Sequence, residues 1–457
     1  MLRTQTYERH ISETLKLSFP VIIGQLGHVL MGVIDNMMIG QLGAGYLSAA
    51  SLANGMFFVL TVIGIGITFA ISPLVAEADA AKKVEEAGHY LRQGFWTALG
   101  VGVVLGAMVY GGSFLLSHMD QPESDVKLAF SYTQIISFSA IPMMLFLVFK
   151  QFADGLSLTK PAMYITMVGL VFNVVANWIL IYGHFGFPRL ELDGAGYGTL
   201  SSRIFMLIMM AGYVMWNKRF AMYKLWQGWW QLKGEHIKKI LAIGFPSGLQ
   251  YFFEVGAFIG AVVMIGWMDE HPVENRAAHQ IAIQIAAITY MIVSGISAGA
   301  TIRVGNAKGR MDFAEVRQAG IAGLVLGAGF MALSAIGFIL FRESLPKLFV
   351  NGQEEIYVLT LASKLMIVAA FFQLFDGIQA VGLGILRGIQ DVNIPTAITF
   401  FSYWVIAIPL GYVLCFPMNL GVEGIWYAFL VSLIVASLLL TTRFMYLTRK
   451  EALSTAV

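Results

Sequence analysis

Charged residues are scarce in this chain. Asp, Glu, Lys and Arg make up 12% of its 457 residues, whereas about 25% is usual for soluble domains. Hydrophobic residues reach 58% and the mean hydropathy is +0.73, so a water-soluble fold could not bury this much apolar surface. Cysteine is also nearly absent: Cys415 stands alone, which excludes a disulfide within the chain. The composition predicts a polytopic membrane protein.

Motifs for enzymatic and nucleotide chemistry are missing as well. The sequence has no HExxH zinc motif, no GxGD protease motif and no Walker A loop, since GNAKGRMD at 305–312 lacks the Walker spacing. An intramembrane enzyme with Asp35 and Asp376 as a catalytic dyad is an alternative that no other residue supports. We therefore expect no catalytic site, no cofactor, no nucleotide and no nucleic-acid partner.

Long apolar runs are the main positive feature. Twelve windows, each bounded by charged or turn residues, are long enough to cross a lipid bilayer as helices. They are continuously apolar, unlike the alternating strands of a membrane β-barrel. The sequence thus predicts an all-α integral membrane protein with spans at 17–40, 46–76, 94–116, 131–152, 161–183, 194–216, 237–268, 277–302, 318–341, 357–386, 395–416 and 421–447.

The basic residues are distributed unevenly between the two sides of this arrangement. Both termini and the loops after even-numbered spans hold 22 of the 29 Lys and Arg residues, and the other loops hold five. The remaining two, Arg203 and Lys364, fall inside spans. By the positive-inside rule, both termini are predicted to lie in the cytoplasm.

The chain also repeats itself. FPVIIGQLGHVLMGVIDNMMIG at 19–40 and FPSGLQYFFEVGAFIGAVVMIG at 245–266 lie 226 positions apart, and both begin with Phe-Pro and end with Met-Ile-Gly. AISPLVA at 70–76 and GATIRVG at 299–305 match in the same order. Two six-span halves with this pattern form a parallel repeat. We predict two pseudo-symmetric lobes that move against each other.

The predicted domains follow from this repeat. The segment 217–239, NKRFAMYKLWQGWWQLKGEHIKK, is basic and aromatic and is expected to lie along the membrane interface. The domains are a cytoplasmic N-terminal segment (1–16), an N-terminal lobe (17–216), a cytoplasmic linker (217–236), a C-terminal lobe (237–447) and a cytoplasmic tail (448–457).

Three carboxylates fall inside predicted spans: Asp35 in the first, Glu254 in the seventh and Asp376 in the tenth. An ionisable group at the bilayer centre costs about 2.5–3.5 kcal/mol on insertion scales, so such residues are usually functional. A buried carboxyl group is stable when protonated or when paired with a cation such as Na⁺. Alternation between these states would couple ion movement to transport. The simpler interpretation is a carboxylate satisfied by neighbouring polar groups or by the interface.

Other polar residues in the spans give weaker signals. Asn173 and Asn177 lie four residues apart in the fifth span, hence on one helix face. Their amides either join Asp35 in a polar pocket or serve only in interhelical hydrogen bonds. His28, which aligns with Glu254 in the repeat, receives no role, and neither do the two cations inside the spans.

Several segments carry a resemblance to a known family. They are VIDNMMIG at 33–40, GLSLTKPAM at 155–163, VFNVVANWILIYG at 171–183, FFEV at 252–255, AAHQIA at 277–282, IRVGNAKG at 302–309, LRGIQD at 386–391 and SYWVIAIPLGY at 402–412. Taken together, they resemble the multidrug and toxic compound extrusion (MATE) transporters of the NorM-like bacterial branch. They cover both halves of the chain almost end to end.

The resemblance implies a two-lobed exporter of small organic cations, driven by an inward Na⁺ or H⁺ gradient. We expect a monomer in the bacterial cytoplasmic (inner) membrane. The family's second-lobe cation site carries over to Glu254 and Asp376, which would be the ligands of Na⁺. Its first-lobe site carries over to Asp35 with Asn173 and Asn177. Some relatives have a tyrosine four residues before the span-ten aspartate, whereas this chain has Phe372 there and so lacks that hydroxyl.

A lipid-linked saccharide flippase of the same superfamily is the alternative within transport. Such a protein is expected to hold phosphate with a cluster of cations in its central cavity. This chain places acids in its spans, with only Arg203 and Lys364 as internal cations. The sequence therefore favours the exporter.

Overall fold

The structure is a computed structural model that describes residues 2–116, 123–350 and 355–454. Its α-helices are α1 (Leu2–Gly40), α2 (Ala44–Thr68), α3 (Ile71–Ala80), α4 (Val84–Ser113), α5 (Glu123–Phe138), α6 (Ala140–Gly155), α7 (Lys160–Tyr182), α8 (Glu191–Trp216), α9 (Gly234–Gly266), α10 (Pro272–Gly309), α11 (Phe313–Leu340), α12 (Ile356–Gly388), α13 (Asn393–Phe400), α14 (Ile408–Cys415) and α15 (Gly421–Ser454). Short 3₁₀ segments at Lys218–Tyr223 and Pro346–Leu348 and a π-helix at Phe401–Ala407 complete the described elements.

Within these residues, twelve helical stretches are long and apolar enough to cross a membrane. The pairs α2–α3 and α5–α6 each form one stretch, and so do α13, the π-helix and α14 together. The predicted number of spans and the all-α class are confirmed. Residue 1 and residues 455–457, which belong to the predicted terminal segments, lie outside the described residues.

The helices extend beyond the predicted spans. The third span was predicted to begin at residue 94, but α4 begins at Val84. The eighth was predicted at 277–302, whereas α10 runs from Pro272 to Gly309. A charged side chain ends an apolar window, but it does not interrupt the backbone hydrogen bonds of a helix. Hydropathy therefore locates the membrane-crossing part of each helix and not its ends.

Prolines account for the three interrupted spans. The junctions before α3 and α6 lie within one helical turn before Pro73 and Pro142, and the π-helix lies just before Pro409. A proline lacks the N–H that would bond four residues back, and its ring clashes with the carbonyl there. The preceding turn therefore unwinds or widens.

The chain divides into two compact units. The first unit is Ile23–Gly248, and the second combines the chain up to Ile22 with the chain from Leu249 onward. Both divisions fall two residues after a proline inside a helix, Pro20 in α1 and Pro246 in α9. These are equivalent positions of the 226-residue repeat. The lobes predicted from the sequence instead group spans one to six and spans seven to twelve. Their boundaries at residues 17 and 237 stay a prediction.

In the first unit, the start of α9 packs closely on α2. A Cβ added to Gly244 would lie 2.5 Å from the carbonyl oxygen of Ile67, and one added to Gly248 would lie 2.5 Å from that of Ile63. Gly244 and Gly248 have the four-residue spacing that lets two membrane helices approach backbone to backbone. This contact fixes the start of α9 within the first unit.

The second unit contains the equivalent contact, made by the start of α1 on α10. A Cβ at Gly299 would lie 2.2 Å from Ser18 Oγ and 3.1 Å from the carbonyl oxygen of Thr14. Gly295, again four residues away, faces Ile22 in the same manner. Each unit therefore includes the first turns of a helix whose remainder belongs to the other unit.

Candidate functional site

Asp35 on α1 meets α7 and α8 within the first unit. Asn177 Nδ2 donates a hydrogen bond of 2.6 Å to Asp35 Oδ1, and Thr199 Oγ1 lies 3.4 Å from Oδ2. Asn177 Nδ2 is also 3.5 Å from Asn173 Oδ1, and Asn173 Nδ2 donates to Ser202 Oγ at 3.4 Å. The structure thus brings the three predicted residues of this pocket together, and their role in coupling stays a prediction.

Helical spacing explains why these side chains converge. Asn173 and Asn177 are one turn apart on α7 and both are fully buried. The α7–α8 pair packs closely there, because a Cβ on Gly198 of α8 would lie only 1.9 Å from Asn177 Oδ1. Among the described atoms, that amide oxygen is buried without a hydrogen-bond donor. The pocket therefore offers one uncommitted acceptor beside the Asp35 carboxylate.

Arg203 on α8 is the functional candidate that the sequence left without a role. Its Nη1 donates to Ser139 Oγ at 2.5 Å, and its guanidinium carbon lies 4.7 Å from the centre of the Phe57 ring. The guanidinium also interacts electrostatically with Asp35. The first unit therefore holds an acid with an internal cation nearby. An arginine within an apolar span was the available signal.

The second unit holds the other two acids. Glu254 on α9 and Asp376 on α12 are 8% and 5% exposed. The hydroxyl of Tyr290 on α10 donates a hydrogen bond to Glu254, and the charges of the two carboxylates act on each other. Three helices far apart in sequence therefore place two carboxylates and one phenol in one cluster.

The two carboxylates of this second cluster have no positively charged neighbour among the described residues, since no lysine or arginine acts on either of them as a neighbouring charge. Two ionised carboxylates close together repel each other, and burial strengthens the repulsion because the surroundings are weakly polarisable. The cluster therefore requires at least one positive charge from outside the chain, as a proton or as a bound cation.

A chain of hydrogen bonds extends from this cluster along α9. Tyr251 forms side-chain hydrogen bonds with Tyr290 and with Arg387. Arg387 Nη2 in turn lies 3.3 Å from Gln250 Oε1, and the guanidinium carbon is 6.0 Å from the centre of the Tyr251 ring. Arg387 is therefore linked to Glu254 through Tyr251 and Tyr290.

Phe372, which stands where some relatives have a tyrosine, lies among aromatic rings. Phe372 is 2% exposed and makes edge contacts with the rings of Phe258 at 6.2 Å and Trp426 at 5.5 Å. Hydroxyl groups instead come from Tyr290 and from Tyr403, which interacts electrostatically with both acids. Neither tyrosine is identified from the sequence, because the chain has 17 tyrosines and none carries a local signal of this role.

His28 and Lys364 are the other two residues that the sequence left without a role. The ring of His28 makes an edge contact with Phe146 at 6.1 Å. Lys364 is 62% exposed, and its Nζ lies 3.6 Å from a carboxylate oxygen of Glu423. The charge of Arg203 also acts on His28, so His28 lies near the first acid pocket, whereas Lys364 forms an exposed ion pair.

The donors of the second cluster fit a small hard cation. Carboxylate and hydroxyl oxygens are ligands for ions such as Na⁺, Mg²⁺ or Ca²⁺, whereas zinc and copper favour nitrogen and sulfur. Nowhere in the described ranges do three or more His, Cys, Asp or Glu side chains form a group that could hold a metal ion. Two carboxylates with phenolic hydroxyls therefore suit Na⁺ or a proton better than zinc or copper.

Comparisons with known proteins place the chain in a family. The sequence profile of the MatE family matches residues 20–179 and 246–413. The two matched segments begin at Pro20 and Pro246, which occupy the same position of the two repeats. The repeat detected in the sequence is therefore also present in the family match.

Relatives of similar length extend the match to nearly the whole chain. "Probable multidrug resistance protein NorM" of Agrobacterium fabrum is 33% identical over 444 residues, which cover 97% of this chain and 95% of that protein. "Multidrug resistance protein NorM" of Aliivibrio fischeri is 32% identical over 450 residues, with coverages of 97% and 96%.

Solved structures agree with the fold. The eukaryotic MATE transporter AtDTX14 has a TM-score of 0.87 at 20% identity and covers 98% of this chain and 99% of its own. A MATE protein in its bent conformation has a TM-score of 0.88 at 20% identity, with 99% of both chains covered. On the family match and the full-length relatives, this chain belongs to the MatE (MATE) family of multi-pass membrane transporters and is not an enzyme.

Proposed function

We propose that this protein is a secondary active multidrug exporter that expels small organic cations in exchange for Na⁺ or H⁺. The relatives named as multidrug resistance proteins support the substrate class. The distribution of Lys and Arg supports an orientation with both termini in the cytoplasm. The bacterial relatives support a place in the inner membrane of a bacterial cell. The exporter works as a monomer whose two lobes alternate in access.

The observation that carries this proposal is the uncompensated acid pair of the second unit. Glu254 and Asp376 are buried together and require positive charge from outside the chain. A proton, a sodium ion and a cationic drug can each supply it, and binding of one lowers the affinity for another. By thermodynamic reciprocity, a tenfold weakening of drug binding by the ion implies an equal weakening of ion binding by the drug. Competition of this kind is what antiport requires.

The Asp35 pocket supports the same function in the first unit. Its carboxylate is partly balanced by Arg203 and is held by two asparagines and a threonine. We assign Asp35 a part in proton or cation coupling, with Asn173 and Asn177 keeping its carboxylate oriented. Because an internal cation is already present, this acid depends less on an external charge than the acid pair does.

The coupling ion is decided by efflux from proteoliposomes under imposed gradients. The protein is reconstituted with a fluorescent organic cation, and drug movement is followed under a Na⁺ gradient at equal pH and then under a pH gradient without Na⁺. We expect one of the two gradients to drive drug movement against its own gradient, and a matching ionophore to stop it. Drug movement that is independent of both gradients, or that requires ATP, would contradict antiport.

Replacing Tyr290 by Phe tests the phenol that contacts Glu254. The variant keeps the ring but removes the hydroxyl that donates to the carboxylate. A hydrogen bond to a charged group contributes about 1.5–3 kcal/mol, so we expect the ion concentration at half-maximal efflux to change about tenfold. Efflux measured over a range of ion concentrations gives this value.

Tyr446→Phe is the matched control for Tyr290→Phe. Tyr446 is 64% exposed on α15 and lies outside both acid clusters. The same loss of a hydroxyl there is expected to leave the ion dependence unchanged. If both variants had the ion dependence of the wild type, the Tyr290 hydroxyl would have no part in ion binding.

A further inference from the structure

The linker between α8 and α9 is held firmly against α4. Gln93 on α4 bonds the linker twice, because its Nε2 donates to the Gln231 carbonyl at 2.8 Å and its Oε1 accepts from the Lys233 backbone N–H at 3.1 Å. One turn further along α4, Trp96 Nε1 donates to the Trp229 carbonyl at 2.9 Å. This part of the linker is therefore a fixed surface beside the start of α4.

A histidine on that surface lies between two cations. The ring nitrogens of His89 lie 2.7 Å (Nδ1) from Arg92 Nη2 and 2.8 Å (Nε2) from Lys233 Nζ. A neutral imidazole carries one N–H and can accept at only one of its two nitrogens. In either tautomer, the ring N–H of His89 therefore points at the N–H group of Arg92 or of Lys233, so two donors face each other. The arrangement lacks an acceptor, and an anion placed between the two groups would supply it.

Two buried nitrogen atoms nearby are also without partners. Within the described part of the chain, His236 Nδ1 and Arg92 Nε are buried and have no hydrogen-bond partner. Arg92 is 2% exposed, and the His236 ring lies 5.3 Å from that of His89. Buried donors are nearly always paired in folded proteins. The buried donor Arg92 Nε on α4 therefore needs an acceptor, and the start of α9 adds a ring nitrogen without a partner, His236 Nδ1.

The neighbouring acids do not fill this need. Glu86 accepts from the Tyr90 hydroxyl at 2.9 Å and lies 3.7 Å from Lys83 Nζ. Glu85 and Glu235 act on the two histidines through charge but are exposed to solvent. Lys239 adds another cation, because its Nζ donates to the Tyr90 hydroxyl at 3.0 Å. Donors thus remain in excess of acceptors.

Exposed apolar side chains lie on the same linker and at the end of α8. They are Trp216, Trp226, Trp230 and Leu232. Tryptophans of membrane proteins are enriched at the level of the lipid headgroups. Basic segments at that level attract anionic lipids, which are concentrated on the cytoplasmic side. The surroundings therefore point to a phosphate group carried by a lipid.

We propose that His89, Lys233 and His236, supported by Arg92, form a binding site for the phosphate group of an anionic phospholipid. The phosphate oxygens accept from the exposed Lys233 Nζ and from the half-buried His89 ring, which otherwise face each other, and the buried Arg92 guanidinium adds positive charge beside them. The tryptophans and Leu232 lie beside the glycerol and acyl parts of the same lipid. This site is separate from both acid clusters and does not depend on the proposed exchange mechanism.

Native mass spectrometry of the full-length protein tests this site with phosphatidylglycerol as the probe. The protein is transferred from phosphatidylcholine nanodiscs that contain or lack phosphatidylglycerol, and the retained lipid is counted. We expect the wild type to retain one phosphatidylglycerol, Lys233→Ala and His236→Gln to weaken its binding about tenfold, and Lys233→Arg to preserve it. Lys233 is exposed, so its replacement leaves the fold intact.

Lys238→Ala is the matched control, because it removes the same charge five residues away on an exposed position. It should change retention by no more than about twofold if a defined site exists. Equal losses in Lys233→Ala and Lys238→Ala would reduce the surface to diffuse attraction and overturn the proposal. Release of phosphatidylglycerol by millimolar inorganic phosphate would overturn the lipid assignment and give the site to soluble phosphate. Retention of no lipid by the wild type would overturn it entirely.

Discussion

Glu254→Gln and Asp376→Asn are each expected to lower gradient-driven efflux at least about tenfold. Each amide keeps the size of the side chain but carries no charge and takes up no proton. The single carboxylate that remains can still attract a cation, but the repulsion that makes the buried pair bind one strongly is lost. Efflux of a fluorescent organic cation from proteoliposomes under the driving gradient measures the effect.

A second measurement separates coupling from substrate binding. Exchange of labelled for unlabelled drug without any gradient needs a functional substrate site and lobe movement, but no driving ion. If the acids serve coupling alone, this exchange continues in both variants while gradient-driven efflux is lost. If they also attract the drug, both activities fall together. Either result keeps the acids in the mechanism and assigns their part in it.

Glu343→Gln provides the matched control for these acids. The Glu343 side chain is 72% exposed, beside Arg342. The same chemical change at this position should leave efflux at the wild-type rate. If Glu254→Gln and Asp376→Asn also reached the wild-type rate with the gradient dependence intact, the acid pair would be removed from the mechanism. Coupling would then have to depend on Asp35.

The spans and the acids could be predicted because both signals are local. An apolar stretch of sufficient length identifies a membrane helix without reference to its neighbours. A carboxylate within such a stretch is rare enough to be singled out alone, as Asp35, Glu254 and Asp376 were. The i, i+4 spacing of Asn173 and Asn177 likewise predicts a shared face before any partner is known.

The tyrosines and the arginine near the acids could not be predicted, because their role depends on packing between distant helices. The chain has 17 tyrosines, and nothing local distinguishes Tyr290 and Tyr403 from those at the interface. Arg203 was visible inside its span, but its neighbour Asp35 lies on a helix 168 positions earlier. Helix ends were missed for a related reason, since apolar windows stop at charges and helices do not.

The sequence analysis did not predict that α1 and α9 are each divided between the two compact units, although the sequence carried a signal for it. GFPSG at 244–248 and GISAG at 295–299 both have glycines four residues apart. That spacing favours close approach of two membrane helices. The partner helix of each motif cannot be read from the motif, so the division after Ile22 and after Gly248 required the structure. The internal prolines just before both divisions suit a helix that serves two units.

Gly248→Val is expected to destabilise the protein strongly. The first added carbon would lie 2.5 Å from the Ile63 carbonyl oxygen, and a backbone atom cannot rotate away as a side chain can. Overpacking costs about 1–3 kcal/mol where side chains can adjust, so we expect at least the upper part of that range here. A lower Tm in detergent and a smaller monodisperse fraction after purification would report it. Gly299→Val, at the equivalent contact in the second unit, is expected to destabilise the protein less than Gly248→Val. Its nearest neighbour, Ser18 Oγ at 2.2 Å, can rotate, and the backbone atoms Ser18 N and Thr14 O lie at 3.1 Å.

Gly329→Val is the control that separates crowding from loss of glycine itself. Gly329 also lies within a membrane helix, α11, but a Cβ added there meets nothing within 4 Å. The same β-branched side chain should therefore change stability by no more than about 0.5 kcal/mol. If all three variants lost the same stability, valine in a membrane helix would explain the effect and close approach would not. A loss confined to Gly248 and Gly299 would establish that glycine contacts hold the start of each of these two helices in its unit.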